Sequence, residues 1–191
     1  MDSNKNLTSH FDTIPTVPEI SFSNDFRNER SGWVTYDEYE GRVAYINGCL
    51  YLKDYTAPEE AMYGESQRYF TDFILEIETW LVDGTDDNWH LVAYRWQDYD
   101  NCFSFGISAD GYYVIDKWVD DDKTSFIVTT YSSYIYRGQG GTNLIHIECI
   151  GINLSLSENG HLLWEGTDVT FTGGDMTLAA TALGGTFTEV A

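Results

Sequence analysis

The chain is poor in basic residues and cysteine, and each shortage closes off a class of protein. Ten Lys and Arg stand against 31 Asp and Glu, for a formal net charge of −21. A phosphate backbone or an anionic bilayer would be repelled over most of such a surface, so neither nucleic acid nor a membrane surface is an expected partner. No apolar run approaches the roughly 18 residues that span a bilayer. The Met1-Asp2-Ser3-Asn4-Lys5 start lacks the apolar core of a signal peptide, so a secreted domain would have lost its signal from this sequence. The three cysteines, Cys49, Cys102 and Cys149, have neither a disulfide-rich pattern nor a metal-ligand spacing. They are either small strand residues or one disulfide with a thiol left over.

Familiar catalytic patterns are also missing. His10, His90, His146 and His161 are scattered without an HxH or HExxH spacing, and no serine sits in a nucleophile-elbow context. The Gly138-Gln139-Gly140-Gly141 stretch lacks the Lys-Ser/Thr of a phosphate-binding loop and reads as a hairpin loop. Zinc hydrolysis, Ser-His-Asp chemistry and nucleotide binding therefore have no support in the sequence.

Aromatic residues and glycine are abundant: 14 Tyr, 10 Phe, 6 Trp and 17 Gly. That balance suits twisted strands joined by tight turns. Residues 1–20 are polar, contain Pro15 and Pro18, and show no periodicity, so they read as an N-terminal arm. Residues 21–191 are expected to form one β-sandwich domain.

Alternation of side-chain character defines the strands. From Asp72 to Trp118 the chain reads DFILEIETWLV, DGTDDN, WHLVAYRW, QDYDN, CFSFGIS, ADG and YYVIDKW. Apolar-alternating runs closed by turn-forming clusters predict an antiparallel meander. Parity puts Phe73, Leu75, Ile77 and Leu81 on one face and Glu76, Glu78 and Trp80 on the other. The same count opposes Val92, Tyr94 and Trp96 to Leu91, Ala93 and Arg95. It opposes Phe103, Phe105 and Ile107 to Cys102, Ser104 and Gly106, and Tyr113 and Ile115 to Tyr112, Val114, Asp116 and Trp118. Asn47-Gly48 predicts a type I′ hairpin within VAYINGCLYLKD, and a second hairpin turns at Gly151 between NLIHIECI and NLSLSENG. Further strands are expected at Ser125–Thr130, after Asn159-Gly160, and in MTLAATA and FTEVA. Residues 55–70 fit either a helical turn or a loop before a strand. About 12 or more short strands at this spacing predict an all-β, two-sheet antiparallel sandwich or jelly roll.

The succession NDF…SGW, DFILEIE, RWQDYDNCFSFGISADGYYVIDKW and TNLIHIECIGINLSLSENGHLLWE resembles concanavalin A-like sandwich domains. These include the laminin G-like, laminarinase-like and 3-keto-disaccharide hydrolase-like groups, and the resemblance spans about Ser21 to Ala191. It implies a jelly-roll fold on an extracellular or cell-surface protein. It also implies one more strand after the equivalent of Val190-Ala191, carried by further chain or supplied from elsewhere. Laminarinase-type glucanases carry three acidic residues at alternate strand positions. Here Glu76 and Glu78, about 7 Å apart by the strand rise, are followed by Trp80.

Three candidate sites follow. The polar face of the meander, with Glu76, Glu78, Trp80, Arg95, Tyr112, Asp116 and Trp118 above the small residues Ala93, Ser104 and Gly106, suits a glycan groove: aromatic rings stack on sugar CH faces while charged groups bind hydroxyls. Acidic turns at Asp83, Asp86 and Asp87 and at Asp98 and Asp100, with the run Asp120 to Asp122, could donate oxygens to calcium. Glu76 and Glu78 have a separation a glycosidase could use. The expected function is a non-catalytic glycan-binding module with structural calcium. The alternatives are a subunit of a surface layer, fibre or tube joined by strand exchange through the arm, and a glycoside hydrolase.

Overall fold

The computed structural model describes residues 24–55, 61–181 and 188–190. In chain order the strands are β1 (Tyr36–Asp37), β2 (Gly41–Ile46), β3 (Cys49–Asp54), β4 (Ala61–Glu65), β5 (Phe73–Thr79), β6 (Leu81–Gly84), β7 (Trp89–Asp98), β8 (Asn101–Ser108), β9 (Tyr112–Val119), β10 (Asp122–Tyr131), β11 (Asn143–Ile150), β12 (Asn153–Glu158), β13 (His161–Thr167), β14 (Asp175–Thr181) and β15 (Thr188–Val190). No helix occurs among the described residues, so none is long and apolar enough to cross a membrane. The arm expected over residues 1–20 and the domain start near Ser21 lie outside the described residues.

One layer of the sandwich is a six-stranded sheet, β10-β9-β8-β7-β14-β4. The other consists of two sheets, β1-β2-β3-β15-β6 and β13-β12-β11-β5, which adjoin where the chain passes from β5 through Trp80 into β6. A single apolar cluster joins all three, including Phe103, Phe105 and Ile115 from the first layer and Leu52, Ile147 and Leu156 from the second. Each such side chain is close to fully buried and contributes roughly 1.5–3 kcal/mol. The hairpins form where their turn residues required. Asn47 and Gly48 take φ of 54° and 80°, and Gly151 takes 57°.

The meander is displaced by one strand from the sequence expectation. β5 does not pair with β7. It pairs with β11 in the opposite layer, Ile77 facing Ile145 and Leu75 facing Ile147. The observed meander is β7-β8-β9-β10, with β10 covering Asp122–Tyr131 rather than Ser125–Thr130. Alternation fixes which side chains share a face, but the DGTDDN loop is long enough to carry the chain across the sandwich. All three cysteines are free thiols, so the disulfide alternative falls. Burial pushes the thiols of Cys102 and Cys149 up to about 12.

Candidate functional site

The outer face of the six-stranded sheet carries a cluster built on Ala93, Trp96 and Cys102, with Tyr63 and Trp118 packed against it. Its position follows from one irregularity in β7. Arg95 adopts φ of 48°, and the pairing with β8 and with β14 slips at this point. The bulge reverses side-chain parity beyond Tyr94. Trp96, expected on the greasy face, therefore turns outward, while Arg95, expected outward, turns in and is 1% exposed. Its guanidinium donates to the carbonyls of Phe171 at 2.7 Å and Gly151 at 2.6 Å, tying β7 to loops flanking the opposite layer.

Two tyrosine rings pack against Trp96. Tyr63 lies 5.5 Å from it and Tyr99 5.1 Å, with Tyr63 and Tyr99 themselves 5.2 Å apart in an edge-to-face contact. Tyr99, in the β7-β8 turn, is 63% exposed. It presents an open ring on a packed base. Burial raises the hydroxyl of Tyr63 to about 12, so it remains a neutral donor at physiological pH. The Tyr63 amide donates to the Tyr36 hydroxyl at 3.0 Å, which fixes the strand bearing this ring.

Across the face, Trp118 stands opposite Cys102 in the β8-β9 ladder. The Lys123 ammonium lies 5.6 Å from the centre of its ring and 3.4 Å from the Asp116 carboxylate. The Ser125 hydroxyl donates to the same carboxylate at 2.6 Å. Between the two aromatic groups the floor is Ala93, Cys102 and Ser104, all small. The arrangement offers flat apolar rings beside an ordered carboxylate, an ammonium and hydroxyls.

The seven expected ligand-binding residues do not assemble into one groove. Asp116 and Trp118 belong to this face. Tyr112 shares it but stands about 20 Å from Trp118 by the strand rise, in contact with Tyr131 at 5.6 Å. Arg95 is removed by the bulge. Glu76 and Glu78 are exposed on the outside of the opposite layer, where His146 bridges Glu76 at 3.3 Å and Glu148 at 3.1 Å. Trp80 is half-buried at the junction of β5 and β6. Sequence reading missed Tyr63, Trp96, Tyr99 and Lys123. Only the Trp-Gln-Asp-Tyr run before Asp100 hinted at aromatic residues near that turn.

The acidic turns also separate. Asp83, Asp86 and Asp87 precede β7, whereas Asp98 ends it and Asp100 follows, so β7 holds the two groups about 30 Å apart. Asp83 accepts from the Gln139 amide at 3.0 Å. Asp98 accepts from the Asp100 amide and the Asn101 side chain, and the amide of Asp121 donates to the Asp100 carbonyl at 3.3 Å. Among the described residues no group of three or more His, Cys, Asp or Glu converges to hold a metal ion.

Solved structures share this architecture. The carbohydrate-binding module CBM66 from Bacillus subtilis superposes with a TM-score of 0.60 at 16% identity, over 83% of this chain and 92% of its own. The Bacillus licheniformis β-glucanase gives 0.64 at 10% identity, over 88% and 93%. A protein of unknown function with a galectin-like fold from Bacillus subtilis gives 0.61 at 12%, over 87% and 90%. No family model matches the chain, and comparison with curated proteins gives no match. The fold is thus a concanavalin A-like jelly-roll sandwich, as the sequence resemblance implied.

Proposed function

We propose that the chain is a non-catalytic module that binds a neutral glycan on the outer face of its six-stranded sheet. The observation that carries the reading is the exposed Tyr99 ring seated on Tyr63 and Trp96, with Trp118, Lys123 and Asp116 across a floor of small side chains. Sugar CH faces stack on such rings, and the ordered charges bind hydroxyls. The net charge of −21 disfavours acidic polysaccharides, which leaves neutral chains as the substrate class. A carbohydrate-binding module among the structural neighbours lends the reading support at the level of fold.

Distances weigh against hydrolysis. Glu65 on β4 and Asp116 on β9 are separated by four inter-strand steps, about 19 Å, whereas glycosidases hold their two carboxylates about 5–9.5 Å apart. Glu76 and Glu78 have a usable spacing, but they face away from the aromatic cluster on the other layer. Calcium enters the proposal as a structural ion at the adjoining Asp98–Asn101 and Asp120–Asp122 turns, and an extracellular or cell-surface setting would supply it.

Affinity electrophoresis in gels containing neutral polysaccharides, together with a glycan array, tests the reading. At least one neutral glycan should retard the parent, and Tyr99→Ala and Trp118→Ala should each weaken retention about tenfold or more. A blank array, or retention unchanged in both variants, overturns it.

A further inference from the structure

Beyond the aromatic cluster, the outer face of the six-stranded sheet is almost free of charge. In a chain with 31 acidic residues, the outward positions of β8 from Cys102 to Ser108 and of β9 from Tyr112 to Trp118 hold one charged side chain, Asp116. The outward positions of β7 before the bulge, Trp89, Leu91 and Ala93, hold none. An antiparallel sheet face left to water alternates to polar side chains, so this one is built to meet something else. Its middle is apolar because Gly106 makes room. A β carbon there would stand 2.6 Å from Leu91 Cδ2, 3.2 Å from Val114 Cγ1 and 3.4 Å from Trp89 Cε3, all on half-buried residues.

The far end of the face, beside the β8-β9 turn, carries a second aromatic platform. Tyr112 and Tyr131 stand opposite each other in the β9-β10 ladder, both exposed, with rings 5.6 Å apart and edge to face. The Arg137 stem lies against the same spot. A β carbon on Gly111 would stand 2.9 Å from Tyr131 Cε2 and 3.1 Å from Arg137 Cδ. Arg137 is exposed, and among the described residues no ion pair holds its guanidinium. The loop that bears it is fixed. The Asn143 side chain accepts from the Tyr136 amide at 2.8 Å and donates to the Tyr136 carbonyl at 2.9 Å, and the Gly138 amide donates to the Ala109 carbonyl at 2.8 Å.

We infer that this face takes an internal stretch of a linear neutral polysaccharide, laid along β9 from Tyr99 and Trp118 at one end to Tyr112, Tyr131 and Arg137 at the other. That placement rests on the glycan reading and gives the ligand a length and a direction. The two platforms stand about 20 Å apart by the strand rise, the length of roughly four linked pyranose rings. A disaccharide, or a chain end held at one platform, would leave the other idle. Between them, sugar CH faces can cover Leu91 and Val114 while hydroxyls reach Ser104, which is half-buried on the same face. The guanidinium of Arg137 is a donor only, so it suits the hydroxyl and ring oxygens of the last sugar. Because the backbone beneath it is already tied to Asn143, little freedom is lost when that contact forms.

The probes are cello-, xylo-, manno- and laminari-oligosaccharide ladders from dimer to octamer, with the ladder of any other polymer retained in the gels, titrated calorimetrically into the full chain. In at least one ladder the hexamer should bind one-to-one and about tenfold or more tighter than the dimer. Tyr131→Ala and Arg137→Ala, both on exposed positions, should each lower the hexamer-to-dimer affinity ratio about fivefold, whereas Tyr99→Ala should weaken binding at every length. A dimer that binds as tightly as its hexamer, or a ratio unchanged in both variants, overturns the inference and leaves the glycan reading standing. So does uptake of two hexamers per chain, which would make the platforms separate sites, and so does a retained polymer whose octamer fails to bind. Failure of every ladder and every polymer overturns both.

Discussion

The backbone of Gly174 lies directly against that of Arg95 and Trp96: a β carbon on Gly174 would stand 2.6 Å from the Trp96 nitrogen. β14 can approach the bulge only because this residue has no side chain. The Gln97 side-chain amide secures the crossing by donating to the carbonyls of Arg95 at 3.0 Å and Gly173 at 2.6 Å. Gly174→Ala should therefore push β14 off β7, costing about 1–3 kcal/mol as an overpacking change. It should also turn Trp96 away from Tyr63 and Tyr99. Chemical denaturation measures the first effect. The second appears as loss of polysaccharide retention at temperatures where the variant remains folded.

The same crossing shows where sequence reading stopped. Parity was legible along β8, where Phe103, Phe105 and Ile107 are all 0% exposed, and along β9, where Asp116 and Trp118 face outward as expected. The Asn47-Gly48 turn was legible because few residue pairs accept two positive φ angles. The bulge was not, since arginine carries no mark of a left-handed backbone, and a single inserted residue exchanged the places of Arg95 and Trp96. The partner of β5 was hidden for a different reason. An alternating strand specifies what must be buried, not which neighbour's backbone it will bond. Glu76, Glu78 and Trp118, which the alternation count puts on one face, thus ended on opposite layers.

The thiols provide a test of packing that does not depend on any ligand. Cys102 is 3% exposed beneath the aromatic cluster and Cys149 is 0% exposed in the core, and burial raises both to about 12, so neither forms thiolate at pH 8. Cys49 is only half-buried, at the start of β3. Timed alkylation with iodoacetamide at pH 8 should label Cys49 alone in the native protein and all three in urea. Native labelling of Cys102 at a rate comparable with that of Cys49 would show that the cluster of Trp96, Tyr63 and Trp118 does not close over it.

Glu158 presents a buried acid without a partner. It is 0% exposed, neither carboxyl oxygen has a hydrogen bond, and burial raises it from 4.5 to about 8. The folded protein retains this proton through a range in which the unfolded chain has lost it. The stabilisation is thus complete below pH 4.5 and declines as pH rises toward 8. The full difference is on the order of 5 kcal/mol. Glu158→Gln keeps the shape and cannot ionise. It should match the parent near pH 4 and exceed it progressively up to pH 8, by several degrees in Tm. Parallel pH-stability curves for the two proteins would refute the assignment.

His90 acts in the opposite sense. Burial lowers it from 6.5 to about 4, so the unfolded chain takes up a proton that the folded protein refuses. The stability it protects is present above pH 6.5 and is lost as pH falls toward 4. Between pH 4.5 and 6.5 the two slopes, each about 1.4 kcal/mol per pH unit, oppose and largely cancel. These two residues alone would therefore give a plateau, falling on the alkaline side through Glu158 and on the acid side through His90. His90→Gln removes a proton acceptor while leaving an amide to meet Thr79. Urea denaturation at half-unit steps from pH 4 to 9 should show the variant's loss relative to the parent shrinking below pH 6.5, with the alkaline decline unaltered. If the relative loss is constant across the range, His90 is not the titrating group.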